Sequence, residues 1–222
     1  MSRTRKVISW TTVGVVAAAI AWTVAWWGFV RFEAGLGGYA NVRLSDHRKE
    51  VLFRLGYPPA VAEAEFNTET RRWAQRVFTT DRAVDPRDAL PEGKRIDDYN
   101  EWEFHVPGTA GDEPGQSSLR VTFSKDTDHV VEVSCVDMLK RPDICPALAG
   151  IRAGDSEERV RSVLGSPTHL SFESVNKTIR YDDLGVEFVL TRGYVYGLTL
   201  FNAPRHRFAT FLHRYVGRAF RR

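Results

Sequence analysis

The sequence predicts an α+β protein with an N-terminal transmembrane helix, two tandem modules and a C-terminal amphipathic helix. Each module is expected to pack a short helix or helix pair on a small antiparallel sheet. Three observations carry this. Residues 7–30, VISWTTVGVVAAAIAWTVAWWGFV, contain no charge. The stretch VRLSDHRKEVLFRLGYP at 42–58 returns almost unchanged in its pattern as IRAGDSEERVRSVLGSP at 151–167. Each copy is followed by runs of alternating apolar and polar residues, the pattern of half-buried strands.

The first element is the uncharged run between Lys6 and Arg31. A helix of that length spans roughly 36 Å, enough to cross a hydrocarbon core of about 30 Å with some tilt. Trp10 lies near one end and Trp26, Trp27 and Phe29 near the other, where amphipathic rings favour the membrane interfaces. Arg3, Arg5 and Lys6 precede the run, whereas Arg31 and Glu33 cancel just after it. The positive-inside rule then puts residues 1–6 in the cytoplasm, 7–30 in the bilayer and the rest outside. A cleavable signal peptide is the competing reading, with GLGGYA as the cut region, but its apolar core would be only about 7–15 residues. Residues 31–41 read as a flexible Gly-rich linker.

The first module is expected over 42–136 and the second over 150–203, joined by a linker at 137–149. At one constant offset Arg43, Asp46, Val51, Leu55, Gly56 and Pro58 recur as Arg152, Asp155, Val160, Leu164, Gly165 and Pro167. In the second copy Asp155 is placed to cap a helix, with Glu158 completing a capping box. Val160, Val163 and Leu164 have helical spacing, Gly165 suits a left-handed C′ position, and Pro167 blocks any restart. The first copy follows with Asp46, Val51, Leu52, Leu55, Gly56 and Pro58, its box incomplete because Lys49 stands where Glu158 does.

Three antiparallel strands are expected after the second helix, KTIRYDD, GVEFVLT and YVYGLTLF, and three in the first module, EWEFHV, LRVTFS and HVVEVSCV. The inward sets there are Trp102, Phe104 and Val106; Leu119, Val121 and Phe123; and Val131, Val133 and Cys135. Between the first helix and its strands, NTETRRWAQRVF reads as an amphipathic helix, followed by an irregular charged stretch. A Gly- and Pro-rich loop, PGTAGDEPGQSS, lengthens the first hairpin. Such loops are where specificity is expected.

The last element, 204–222, is a basic amphipathic helix. Phe208, Phe211, Leu212, Tyr215, Val216, Ala219 and Phe220 fall at helical spacing. Two fates compete for that face: packing on the second sheet, or lying on an anionic membrane surface or a partner through Arg207, Phe211, Arg214, Tyr215 and Arg218.

Charge bounds the partners. The net charge of +3 hides six basic and no acidic residues in 205–222 and three basic residues before the anchor. Residues 31–204 therefore hold 22 Lys and Arg against 28 Asp and Glu. An acidic body argues against nucleic acid. Cys135 and Cys145 are the only two cysteines; their spacing permits a disulfide in an exported body, the alternative being two unrelated thiols.

Catalytic and metal motifs are missing from the sequence. The histidines, His47, His105, His129, His169, His206 and His213, have no metal-ligand spacing and read as lone surface residues. There is no GxSxG elbow and no phosphate loop. The adjacent carboxylates Asp97/Asp98 and Asp182/Asp183 read as turn caps. No catalytic residue, cofactor or metal is therefore expected.

With these elements laid out, the order helix, Leu-Gly-x-Pro, antiparallel sheet resembles a known superfamily. It is similar to the module of the SmpA/OmlA outer-membrane assembly lipoproteins and, in tandem, of the β-lactamase inhibitor proteins. VRLSDHRKEVLFRLGYP, GIRAGDSEERVRSVLGSP and IRYDDLGVEFVLTRGYVYGLTL carry the resemblance. It implies a bacterial envelope protein that acts by binding other proteins. The departures are a membrane helix in place of a lipidated Cys and two modules where the lipoproteins have one. Neither barrel assembly nor β-lactamase inhibition carries over. The combined expectation is a non-enzymatic scaffold or assembly factor, single-pass in the bacterial inner membrane, with a periplasmic body and envelope-protein partners. A secreted inhibitor-like protein and an envelope enzyme of unrecognised type are the alternatives.

Overall fold

A computed structural model describes residues 2–67, 72–80, 89–105, 117–138 and 145–203. The expected C-terminal helix, with Arg207, Phe211, Arg214, Tyr215 and Arg218, lies outside the described residues, as do Val106 and most of the Gly- and Pro-rich loop.

Helix α1, Ser2–Leu36, contains the uncharged run. Its stretch Val13–Val30 is long and apolar enough to cross a membrane, a property a signal sequence shares. Val13, Val15, Ile20, Trp22, Val24 and Trp27 are all exposed. Water would penalise such a surface, and lipid would not.

Where a flexible linker is expected, the structure is ordered and packed. α1 runs on to Leu36, and a small hairpin follows, β1 Gly38–Tyr39 paired with β2 Val42–Arg43. Ala40 and Asn41 make its turn with φ of 49° and 67°, the left-handed conformation that two-residue hairpins need. Leu36, Tyr39 and Val42 are buried in the core, and the Tyr39 hydroxyl donates to the Pro146 carbonyl at 3.0 Å. Burial holds the Tyr39 hydroxyl well above its usual pKa. Glycine content signals a turn here, and the apolar residues between the glycines anchor it.

The two repeated helices are α2, Arg48–Leu55, and α3, Glu157–Leu164, at the expected offset. Val51, Val160 and Leu164 are fully buried. The caps sit one residue later than expected. Asp46 and Asp155 instead close the preceding turn, each Oδ2 accepting from the backbone of Arg43 or Arg152 at 2.7 and 2.8 Å. Ser156 caps α3 through the Arg159 amide at 3.2 Å. His47 precedes α2, and its amide donates to Glu50 at 2.7 Å, half of a capping box. The helices end at Gly56 and Gly165, with φ of 83° and 84° and ψ of −165° and −151°. That is the extended positive-φ region that only glycine enters readily, rather than the left-handed helical one.

The remaining strands are β3 Ala60–Asn67, β4 Arg72–Thr79, β5 Glu101–His105, β6 Ser117–Phe123, β7 Val130–Asp137, β8 His169–Glu173, β9 Asn176–Tyr181, β10 Val186–Thr191 and β11 Tyr194–Phe201. Where an amphipathic helix is expected over NTETRRWAQRVF, Asn67 ends β3 and residues from Arg72 on form β4, registered from Ala60↔Thr79 to Asn67↔Arg72, with 68–71 outside the described residues. The helix-like spacing of the apolar residues loses to cross-strand pairing along the full length of both strands. β8 is a further strand that the sequence does not announce. It alternates strictly, but five residues with only Leu170 and Phe172 apolar make too short a run to stand out.

These nine strands, β3 to β11, form one antiparallel sheet, ordered β4-β3-β5-β6-β7-β11-β10-β9-β8. The two expected small sheets are thus joined, because β7 and β11 pair from Val136↔Gly197 to Glu132↔Phe201. Leaving out β4, the strands run β3, β5, β6, β7 to the centre and β8, β9, β10, β11 from the opposite edge. Equivalent contacts recur in both halves: Val130 N donates to Asp46 O, and Val195 N to Asp155 O, both at 2.9 Å. Each half also has a β-bulge at this point, between Thr122 and Phe123 and between Val189 and Leu190. The bulge puts Val130 in the core where Val131 is expected, since one extra residue switches the face of those that follow.

One face of this sheet carries the core. Trp102, Phe104, Leu119, Val121, Phe123, Val133 and Cys135 from one half meet Ile179, Tyr181, Phe188, Leu190, Leu198 and Leu200 from the other, under α2 and α3. Cys135 and Cys145 form a disulfide, with Cα atoms 5.8 Å apart. It ties the central strand β7 to the segment leading into the second half. Reduction, or Cys145→Ser, is expected to cost roughly 2–3 kcal/mol, the loop-closure entropy of about a dozen residues. Urea unfolding with and without reductant measures this, and the double variant Cys135→Ser/Cys145→Ser should be insensitive to reductant.

Candidate recognition face

Residues on the strands that point away from the core line up across the sheet by register. One row runs Glu103, Arg120, Ser134, Thr199, Glu187, Arg180, and a second runs Glu101, Thr122, Glu132, Phe201. These rows cross the β7–β11 seam, so residues from both halves contribute to one face, on which Thr199 and Phe201 are buried and the others half-buried. Four glutamates there face two arginines.

Arg120 lies 3.6 Å from Glu103 and 3.9 Å from Glu101. Its Nε is buried and has no hydrogen-bond partner among the described residues. Arg180 is held from three sides. Its Nε donates to Asp182 at 2.6 Å, its Nη1 to Glu187 at 3.1 Å, and its guanidinium lies 3.9 Å from the Phe201 ring centre. The hydrogen bond to Asp182 raises the Arg180 pKa, partly opposed by desolvation. The same bond lowers that of Asp182, which also accepts from Thr168 at 3.0 Å. Asp98 caps a turn, accepting from the Arg95 amide at 2.9 Å, whereas the Asp182 carboxylate bonds side chains.

Glu132 is the opposite case. Desolvation raises its pKa, reinforced by repulsion from Glu187 and Glu101. Because its folded-state pKa lies above the unfolded one, the folded state binds the proton more tightly. That contribution is complete below about 4.3, the usual glutamate value, and is lost as pH rises through the folded-state pKa. Glu132→Gln is therefore expected to raise the melting temperature at neutral pH, with the gain disappearing below the usual glutamate value. Thermal unfolding of both proteins across this range is the measurement.

A second feature, with no signal in the sequence, gathers at the N-termini of the two helices. Arg48, the first residue of α2, is buried and bonds Asp128, the Tyr99 carbonyl at 2.6 Å and Asn100 at 3.4 Å. Its guanidinium lies 4.5 Å from the Phe123 ring centre. At the equivalent position of α3 stands Glu157, bonded to Lys177 at 2.6 Å and to Arg161 at 2.8 Å. The Lys177 bond lowers its pKa. The first residue of each helix thus bonds an opposite charge, with the polarity reversed between the halves. The offset of the repeat pairs Arg48 with Glu157, but a charge at each position gives no sign of burial.

His47 and His129 are also brought together, their rings 3.9 Å apart, and His129 Nδ1 is 3.0 Å from the Ser45 carbonyl. Among the described residues no group of three or more His, Cys, Asp or Glu side chains is placed to hold a metal. Two clefts lie away from the charged rows. One of about 620 Å³ is lined by Gly37 to Arg43 and Arg54, and one of about 450 Å³ by His47, Arg48, Lys49, Leu52, Asp97 and Asp128. No protein-family model matches the chain, and no curated protein and no solved structure matches it.

Proposed function

We propose that the chain is a membrane-anchored, non-enzymatic recognition protein of the bacterial envelope, whose far sheet face binds another envelope protein. Each half is read as one copy of a helix-plus-sheet module, the second copy inverted against the first through β7 and β11. The observation carrying the reading is the pair of register rows that cross that seam and carry four glutamates and two arginines from both halves. Such a surface offers directional, charge-assisted contacts over an extended area, which suits a protein partner better than a small substrate. The likeness of the repeat to the SmpA/OmlA and β-lactamase inhibitor modules points the same way. In this reading α1 crosses the inner membrane with residues 1–6 in the cytoplasm and the body in the periplasm.

Burial of Leu36 and Tyr39 supports an uncleaved anchor. A mature start near Asn41 would remove both side chains and strand β1 from the fold. Intact mass of the purified protein tests this, and a chain beginning near Asn41 would refute it.

The recognition reading is tested by placing a photo-crosslinking residue at Ser134, in the middle of the charged rows, in living cells. A discrete adduct with another protein is expected, and Glu103→Lys with Glu187→Lys should abolish it. No adduct, or one indifferent to the charge reversal, would sink the proposal.

A further inference from the structure

The two edges of the large sheet are not alike. β3 begins at Ala60 and β8 at His169, separated by the same offset as the repeated helices, and the two hold corresponding places in the strand order. In the first half β4 covers β3 along its whole length. In the second half β8 pairs with β9 on one side and, among the described strands, ends the sheet on the other. All five of its residues are exposed, Phe172 by 73%. It contains no lysine, proline or bulge, the usual devices that keep a strand edge from pairing.

We propose that β8 pairs with β8 of a second copy of this chain, antiparallel and centred on Ser171, to form a two-fold dimer with one continuous sheet. The strand reads His-Leu-Ser-Phe-Glu from 169 to 173. Turned on itself about Ser171, it sets His169 opposite Glu173, Leu170 opposite Phe172, and Ser171 opposite its own copy. A histidine meets a carboxylate at both ends and apolar side chains meet between, the pairs that stabilise neighbouring strands. A one-residue slip would lose both matches.

The anchors agree with this geometry. The axis relating two antiparallel edge strands is normal to the sheet, so both copies keep their core faces on the same side. α1 joins the body on the core side, through Leu36, Tyr39 and Val42. Both anchors therefore start from the same side of the dimer, as one bilayer requires. Parallel edge pairing would turn the copies over and send the anchors apart. The contact is short, and confinement of both chains to one membrane raises the local concentration that it needs.

The test uses the full-length chain in native membranes under mild oxidation. Residues opposite each other in an antiparallel pair have Cα atoms about 4.5–5.5 Å apart, within disulfide reach. Ser171→Cys should therefore give a species of twice the chain mass that reductant abolishes, while Lys125→Cys, on the exposed β6–β7 turn, stays single. Co-expressed His169→Cys and Glu173→Cys chains should link to each other and not to themselves. Adding Phe172→Lys should remove the Ser171→Cys product, and Glu103→Lys with Glu187→Lys should leave it intact, separating this contact from the far-face reading. Step photobleaching of the wild-type chain in membrane nanodiscs should show two steps per particle. Single steps, a Ser171→Cys product no stronger than that of Lys125→Cys, or one unchanged by Phe172→Lys would overturn the proposal.

Discussion

Trp102→Ala is expected to destabilise the body by about 3–5 kcal/mol, the range for removing a large aromatic side chain from a core. Trp102 is fully buried on β5. Its ring meets Phe123 edge-on at 4.7 Å, and the Arg48 guanidinium lies 5.4 Å from it. Its Nε1 donates to the Ile96 carbonyl at 3.0 Å, which fixes the short helical turn Ile96–Asp98 against the sheet. Alanine would open a cavity and leave that carbonyl without its donor. Trp102→Phe should recover much of the packing while still losing the hydrogen bond, so its cost should fall between. Equilibrium urea unfolding of the three proteins gives the order. A loss under about 1 kcal/mol for Trp102→Ala would mean that the first half is far more loosely packed than its buried contacts require.

Arg48→Ala should cost about 2–4 kcal/mol, nearly as much, for a different reason. The Arg48 side chain is 10% exposed, whereas its partner Asp128 is 53% exposed. Breaking the pair from the buried side leaves the Tyr99 carbonyl without its donor and a gap beside Phe123. From the exposed side, Asp128→Asn leaves the buried guanidinium without its counter-charge but keeps an oxygen to accept from it, the Tyr99 carbonyl bond and the packing on Phe123, and should cost about 1–2 kcal/mol. Arg48→Met, which refills the gap without a charge, should lie between the two. Equal losses for Arg48→Ala and Asp128→Asn would contradict this asymmetry. Chemical unfolding at low and high salt separates them further, since salt screens the exposed partner more.

Both effects centre on residues whose roles are only partly visible in the sequence. The alternation in EWEFHV puts Trp102 inside the protein. Nothing in VRLSDHRKEV marks Arg48 as buried, because its neighbours His47, Lys49 and Glu50 are polar as well. Its burial follows from where the β6–β7 turn places Asp128, far along the chain. The segment NTETRRWAQRVF reads as a helix for a related reason. Its apolar residues fit a helical stripe, and only the partner strand β3, paired with β4 from Ala60↔Thr79 to Asn67↔Arg72, makes strand the better state for them. The candidate recognition face is legible as an outer sheet surface, but its rows exist only in the register that joins the strands across the seam.

The sequence by itself determined the membrane-length helix, the pair of repeated helices with their glycine stops, six of the strands and the cysteines that pair. These depend on local quantities: length without charge, apolar period, and a backbone conformation that glycine alone adopts easily. Tertiary structure alone decided that the linker is packed, that two small sheets are one, that Arg48 is buried, and that β4 covers one edge while β8 forms the other. Those outcomes rest on contacts between residues far apart in the chain. Their free energy arises only once the strands have met, so no local pattern records them.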